Sequence, residues 1–198
     1  MKVHTLLLVV LVWAAPIANC SPRQSKCGAL QARDDVLRAL AGKSARGQQW
    51  NVKDHPARVY LISFVQVVPD TLPTSSRTQS LSLSSMAHQY TGAISVLVDA
   101  SALKTSRVPD GNKLLNAWHD WSLHDVVLLS DPEGDIRQTF GVCEAPETFL
   151  LRFDGTMLDH WNGLVSTGTL ALAVERALPS EAAALHASRV KKRPPSTR

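Results

Sequence analysis

The run Arg58–Val68, RVYLISFVQVV, narrows the fold of this chain more than any other stretch. It is apolar and β-branched almost throughout, with no polar alternation, so a strand made from it leaves neither face in water. Such a strand belongs in the middle of a sheet covered on both sides by helices. Two more runs of the same kind follow, ISVLVDAS at Ile94–Ser101 and DVVLLS at Asp125–Ser130. Between the first two, Leu81, Leu83, Met86 and Tyr90 predict a helix beginning in the second half of the Ser- and Thr-rich segment Thr74–Ser85. Between the second and third, a Pro-Asp-Gly-Asn turn at 109–112 leads to a helix through Leu114, Leu115, Trp118 and Trp121, whose tryptophans pack the core. Strand, helix, strand, helix, strand is the order of two βαβ crossovers, hence an α/β fold.

The flanking segments complete the pattern. Asp131 caps a short helix over Asp131–Phe140, with Pro132 just inside it. A strand over Thr148–Phe153 turns through Asp154-Gly155, a hairpin signal, into a second strand over Thr156–Trp161. Gly163 ends that strand, and Ser166–Leu178 forms a last amphipathic helix. Upstream, Leu30, Val36, Leu37 and Leu40 pattern a helix closed by Gly42, and His55-Pro56 turns the chain into the first core strand.

Within Asp131–Gly155, residues Gly141, Val142, Ala145, Pro146, Glu147, Thr148, Phe149, Leu150 and Gly155 match the run G-V-x-G-A-P-E-T-F-L-I-D-x-x-G. That run resembles the secreted redoxins of the TlpA/DsbE type, which service cytochrome c maturation. The resemblance covers roughly residues 58–178 and is specific at 131–163. It implies a thioredoxin-like α/β fold, a central mixed sheet flanked by helices, with a cis-proline loop at Pro146. In such a loop Ala145 presents its backbone to an extended peptide or protein partner, beside Pro146 and Glu147. The organisation that follows is a signal peptide at 1–20, an N-terminal extension at 21–57, a thioredoxin-like domain at 58–180 and a basic tail at 181–198.

The other half of the expected site is missing. A thioredoxin-type site places a nucleophilic cysteine at a helix N-terminus directly after the first core strand, where the helix dipole stabilises the thiolate, and a second cysteine three residues on. Here that place falls to Val68-Pro69-Asp70-Thr71: Pro69 keeps the intervening proline, while Val68 and Thr71 stand for both sulfurs. The chain's three cysteines are Cys20, Cys27 and Cys143, so no Cys-x-x-Cys exists in it. A threonine hydroxyl cannot carry out thiol–disulfide exchange. Disulfide reductase chemistry by the ordinary two-cysteine route is excluded.

Cys143 and Glu144 depart from the family, which has an aromatic residue and a glycine there. Two readings stand side by side. Either Cys143 and Cys27 form one long-loop disulfide, or Cys143 is half-buried and Cys27 is free or in a mixed disulfide. The leading function is a non-catalytic module, and the alternative is a one-cysteine thiol oxidoreductase or peroxidase-like antioxidant protein using Cys143, resolved by Cys27. Glu144 beside it disfavours the thiolate. Glu147, which in the family lies near a buried thiol, is here a relic or a polar wall.

Charge and short motifs remove other classes. The net charge is +4, and residues 181–198, with five basic residues and one Glu, supply 5 − 1 = +4 of it. The body is therefore near neutral and offers no footprint for nucleic acid. Lys2 and His4 precede an unbroken apolar run of ten, Leu6–Ala15, and Pro16 breaks it, which is a signal-segment pattern too short to span a bilayer. Ile17-Ala18-Asn19-Cys20 resembles a lipobox with Asn19 out of pattern, so a membrane is expected only if Cys20 is lipidated; otherwise the chain is secreted or periplasmic. His119, Asp120, His124 and Asp125, and the pair Asp159 and His160, read as surface residues, since the first two histidines sit five apart. No P-loop, Gly-x-Ser-x-Gly or Cys-x-x-Cys-His is present, and neither metal nor cofactor is expected.

Overall fold

The structure is a computed structural model and describes residues 33–67, 74–100, 111–123 and 125–178. Helix α1 (Arg33–Ala39) leads into a small antiparallel pair, β1 (Ala41–Lys43) and β2 (Gln49–Asn51). Then come β3 (Val59–Val65), α2 (Thr74–Gln89), β4 (Ala93–Asp99), α3 (Gly111–Asp120) and β5 (Val127–Ser130). They are followed by α4 (Asp135–Phe140), β6 (Glu147–Arg152), β7 (Met157–Asn162) and α5 (Thr167–Ala177). The main sheet runs β5-β4-β3-β6-β7. Strands β3, β4 and β5 are parallel, as the two crossovers require, and β6 and β7 are antiparallel additions.

All seven residues of β3 are buried, and its side chains divide between two cores by simple alternation. Leu61 and Val65 join Leu97, Leu128 and Leu150 under α2, α3 and α5, where Leu83, Met86, Trp118, Trp121, Leu170 and Val174 pack. Tyr60, Ile62 and Phe64 join Val98, Phe149 and Leu151 on the opposite face, under α1 and α4. The two tryptophans of the third segment are core residues, and Trp118 donates its ring N–H to the Val126 carbonyl at 3.1 Å. Among the described residues, no helix is long and apolar enough to cross a membrane.

Three local expectations change. Gly42 does not close a helix; it pairs with Trp50 in the β1–β2 hairpin, whose turn uses Gly47 at φ 77°. The Ala45 amide then bonds the Leu128 carbonyl at 2.8 Å, so this segment covers the outer edge of β5. Helix α2 spans the whole Ser-rich stretch from Thr74, because its hydroxyls find partners inside the protein. Ser80 donates to the Ser76 carbonyl at 2.8 Å, Ser76 Oγ accepts from the Gln66 amide at 3.1 Å, and Gln79 Oε1 accepts from the Val165 amide at 2.9 Å.

The third change concerns Asp131. Helix α4 starts at Asp135, after Gly134 at φ 77° redirects the chain, so Asp131 is not the residue next to the helix. Its carboxylate still serves the helix end, accepting from the Ile136 amide at 3.2 Å and the Arg137 amide at 2.9 Å. Asp131 is itself buried, and that burial raises its carboxyl above the ordinary value against the pull of those two amides. Asp131→Ala leaves both amides without their acceptor and is expected to cost about 1–2 kcal/mol. A loss below a few tenths of a kcal/mol in chemical denaturation would show that water replaces the carboxylate there.

Candidate functional site

The site is assembled at the carboxyl end of β3, where β6 brings a loop back from α4. The register sets Glu147 opposite Phe64 on one side and Asn162 on the other. Everything just before Glu147 therefore lies at the end of the sheet where the first core strand stops. Helix α4 ends at Gly141, φ 69°, whose amide bonds the Gln138 carbonyl at 3.1 Å, while the Val142 amide bonds that of Arg137 at 3.1 Å. The left-handed glycine closes the helix sharply and sends the chain toward Pro146. The Ala145–Pro146 peptide bond is cis. Gly163, just past β7, donates its amide to the Pro146 carbonyl at 2.8 Å and ties the loop to the far strand.

Below the loop the strand is polar and closed. Ser63 Oγ and Thr148 Oγ1 are 2.9 Å apart across β3 and β6, both buried. Ser63 also lies 3.4 Å from the Glu147 carbonyl, within donating distance. At the surface of the loop Ala145 is half-buried, and its backbone N–H and C=O make no hydrogen bond among the described residues. Of the three loop residues expected to face a partner, Ala145 is the one open to it. Pro146 and Glu147 are buried.

Glu147 is neither stray nor solvated. His160 Nε2 lies 2.7 Å from its Oε1, and the Cys143 backbone amide also bonds the carboxylate. Burial nevertheless raises the Glu147 carboxyl, with Glu144 adding to the rise and His160 and the Cys143 amide opposing it. The imidazole is itself stacked on Phe149, centroids 4.4 Å apart and planes 11° from parallel. Phe149 in turn meets Phe140 at 5.2 Å and Phe64 at 5.9 Å. A hydrogen-bonded carboxylate–imidazole pair thus stands on an aromatic floor, beneath the cis-proline loop.

His160 is exposed, as expected for a surface residue; what was not expected is its partners, the Glu147 carboxylate and the Phe149 ring. Its neighbour Asp159 is half-buried on the other face of the strand, toward α5, and pairs with Arg176 at 3.5 Å. The clue available in the sequence is the Asp154-Gly155 hairpin, which sets position 160 against position 149 and so beside Glu147. His119 is exposed and packs edge-on to Trp118, and Asp125 faces His88 at 3.6 Å. His124 lies outside the described residues. Among the described residues no three of His, Cys, Asp and Glu converge as a metal site would require.

Cys143 is half-buried on the approach to Pro146 and is disulfide-bonded. It therefore has no thiol proton, and the 3.8 Å between its sulfur and the Gly141 carbonyl is a packing contact. The picture of a single titrating thiol disfavoured by Glu144 does not apply to this state. Cys27 lies outside the described residues, as do Val68, Pro69, Asp70 and Thr71. Val67, the last described residue before that stretch, is buried, and the Asp99 carboxylate accepts its amide at 3.3 Å.

A parallel three-stranded unit extended by an antiparallel hairpin, with a cis-proline loop at the carboxyl end of the central strand, defines a thioredoxin-like fold. Its solved relatives agree with the resemblance to DsbE-type redoxins. The chain is similar to a secreted disulfide oxidoreductase of Mycobacterium tuberculosis homologous to E. coli DsbE, at 17% identity and TM-score 0.59, covering 72% of this chain and 98% of that one. It is similar to DsbF of the same organism at 14% identity and TM-score 0.58, with the same coverage of 72% and 98%. A DsbE-type thiol:disulfide interchange protein of Chlorobium tepidum gives 17% identity and TM-score 0.58 over 70% of this chain and 92% of that one. At these identities the likeness is one of fold. No protein-family model matches the chain, and no curated protein is similar to it.

Proposed function

We propose that this is an exported thioredoxin-like protein that works without the catalytic dithiol, as a module that binds a peptide or protein partner at the Ala145–Pro146–Glu147 loop. The observation that carries this reading is the contrast between the two halves of the site. The sequence has no Cys-x-x-Cys, whereas the cis-proline loop is fully built: tied down by Gly163, backed by Glu147 and His160, and left with the Ala145 N–H and C=O open. An extended segment docking there adds main-chain hydrogen bonds to Ala145, the mode by which strands are captured at sheet margins. Leu164, 53% exposed and next to Gly163, offers an apolar contact at the same rim. The role is one of assistance in disulfide handling or cytochrome c assembly, by analogy with the fold's relatives. Export rests on the N-terminal segment, with Cys20 the point of attachment if it is lipidated.

A second reading has one observation in its favour. Cys143 is disulfide-bonded, and its backbone amide bonds the Glu147 carboxylate on the approach to Pro146, a placement that a one-cysteine oxidoreductase paired with Cys27 would need. Cys143→Ser separates the two. A photo-crosslinking residue placed at Ala145 is expected to capture the same partner in the Cys143→Ser background as in the native chain. Reduction of insulin by dithiothreitol is expected to run no faster with the protein than without it. A thiol-dependent turnover that Cys143→Ser abolishes would overturn the binding-module reading in favour of the enzyme.

A further inference from the structure

The end of the sheet opposite the Pro146 loop carries a second feature that the binding-module reading does not use. A cleft of about 620 Å³ opens at the amino ends of β3 and β4, lined by Leu37, Val52, Tyr60 and Phe153 with Lys53 and Arg58 at its margin. Phe153 is 64% exposed, an unusual state for a phenylalanine fixed in a hairpin turn by a hydrogen bond from its amide to the Arg58 carbonyl. Lys53 and Arg58 are exposed, and neither forms an ion pair among the described residues. The nearby carboxylates Asp54 and Asp154 do not line the cleft, and Asp154 accepts the Thr156 amide at 2.9 Å.

The backbone of the cleft decides which class of ligand suits it. The Val52 amide is spent on the Leu40 carbonyl, Lys53 on Asn51 Oδ1, Ala57 on the Tyr60 hydroxyl, and Arg58 on the Gly92 carbonyl. The Tyr60 hydroxyl donates in turn to the His55 carbonyl at 3.1 Å. A peptide laid in this cleft would find these donors already engaged. Only the Thr91 and Gly92 amides, at one end, are without a bond among the described residues, so most of the peptide's carbonyls would go unpaired, at a cost in affinity. A ligand without amides avoids that cost. The volume falls in the range of small-molecule sites, the walls are mostly apolar, and the charged groups that line them are two cations, Lys53 and Arg58.

We infer that this cleft binds a medium-chain fatty acid, its acyl chain along Leu37, Val52, Tyr60 and Phe153 and its carboxylate toward Lys53 and Arg58. The occupant is a single-chain carboxylate rather than a peptide, and its site is separate from the cis-proline loop.

Isothermal titration of the full chain with dodecanoate, decanoate and octanoate, each below its micelle concentration, tests this. One-to-one binding is expected, weakening two- to fourfold, roughly, for each methylene removed, as burial of the chain requires. The doubly substituted chain Lys53→Gln, Arg58→Gln is expected to bind dodecanoate at least about tenfold more weakly, since each 1.4 kcal/mol is tenfold, while binding dodecanol as the native chain does. Amide resonances of Phe153 and Arg58 should move on titration, and those of Ala145 and Leu164 should stay. Absence of saturable binding to the native chain would overturn the proposal without recourse to any variant. So would equal affinity for dodecyltrimethylammonium, preference for an apolar peptide over dodecanoate, or shifts confined to the Pro146 end. The last result leaves the partner reading of that loop standing, and capture at Ala145 in turn leaves the cleft unaffected.

Discussion

Phe149→Ala is expected to destabilise the protein by about 3–5 kcal/mol, the range for emptying a core aromatic site. Phe149 is 1% exposed, and three rings lean on it from three elements: Phe64 of β3, Phe140 of α4 and His160 of β7. Aromatic pairs contribute beyond area burial, so the cavity is only part of the loss. Domain stabilities are commonly about 5–15 kcal/mol, which makes this one substitution a large share of the total. Urea unfolding followed by far-UV circular dichroism reads it directly. Phe149→Leu should lose less, since it keeps most of the volume and only the stacking goes. A Phe149→Ala loss under about 1 kcal/mol would mean that the rings collapse together without it.

The second large effect belongs to Glu147 and His160. Removing the imidazole with His160→Ala leaves a buried carboxylate with one hydrogen bond fewer and exposes the Phe149 face. The expected cost is about 1.5–3 kcal/mol at neutral pH, the range for hydrogen bonds to charged groups. The dependence on pH has a definite sign. Glu147 is raised above its ordinary value of 4.5, chiefly by burial. The folded state therefore holds that proton more tightly than the unfolded chain does. Its contribution to stability is complete below the unfolded value and is lost as pH climbs through the raised folded one.

Glu147→Gln abolishes this loss, so the variant should gain on the native protein as pH rises through that window, and the difference between them should be constant above it. His160→Ala removes an influence that lowers the Glu147 carboxyl, and the window should then extend to higher pH. Measuring both variants and the double one from pH 4 to pH 8 closes the cycle. Additive losses would show that the 2.7 Å contact carries no coupling.

The fold was legible because its strands are buried on both faces, and continuous apolar runs mark such strands without ambiguity. Arg58–Val68 and Ile94–Ser101 became β3 and β4 with shifts of one to three residues at their ends. The Asp131–Gly155 run was legible for a different reason, since a proline flanked by a small residue and an acid needs a particular loop. What escaped the sequence was polar burial. Ser76, Gln79, Ser80 and Ser82 look like a solvent-seeking stretch, and nothing local reveals that Gln66 and Val165, distant in the chain, complete their hydrogen bonds. The partners of exposed His160 escaped for a different reason: they are set by strand pairing rather than by its neighbours in the chain. The β1–β2 hairpin was hidden by the brevity of its strands, three residues each.

The hairpin that delivers His160 contains two irregularities that cancel. Its tip holds three residues, Phe153, Asp154 and Gly155, between Arg152 and Thr156, which bond at 2.8 Å. Further along, the register steps from Leu151↔Met157 to Leu150↔Asp159, so Leu158 is an extra residue on β7. The pair behaves like a frameshift and its suppressor in a reading frame: the first displaces every later partner by one, and the second restores the phase. Parity decides which side of a strand a residue occupies. The chemistry beneath the cis-proline loop thus hangs on how many residues lie between Arg152 and Asp159, more than on which ones they are. An insertion or deletion of one there rotates His160 off the Phe149 face and sets Asp159 or Trp161 in its place, with no change at the site itself.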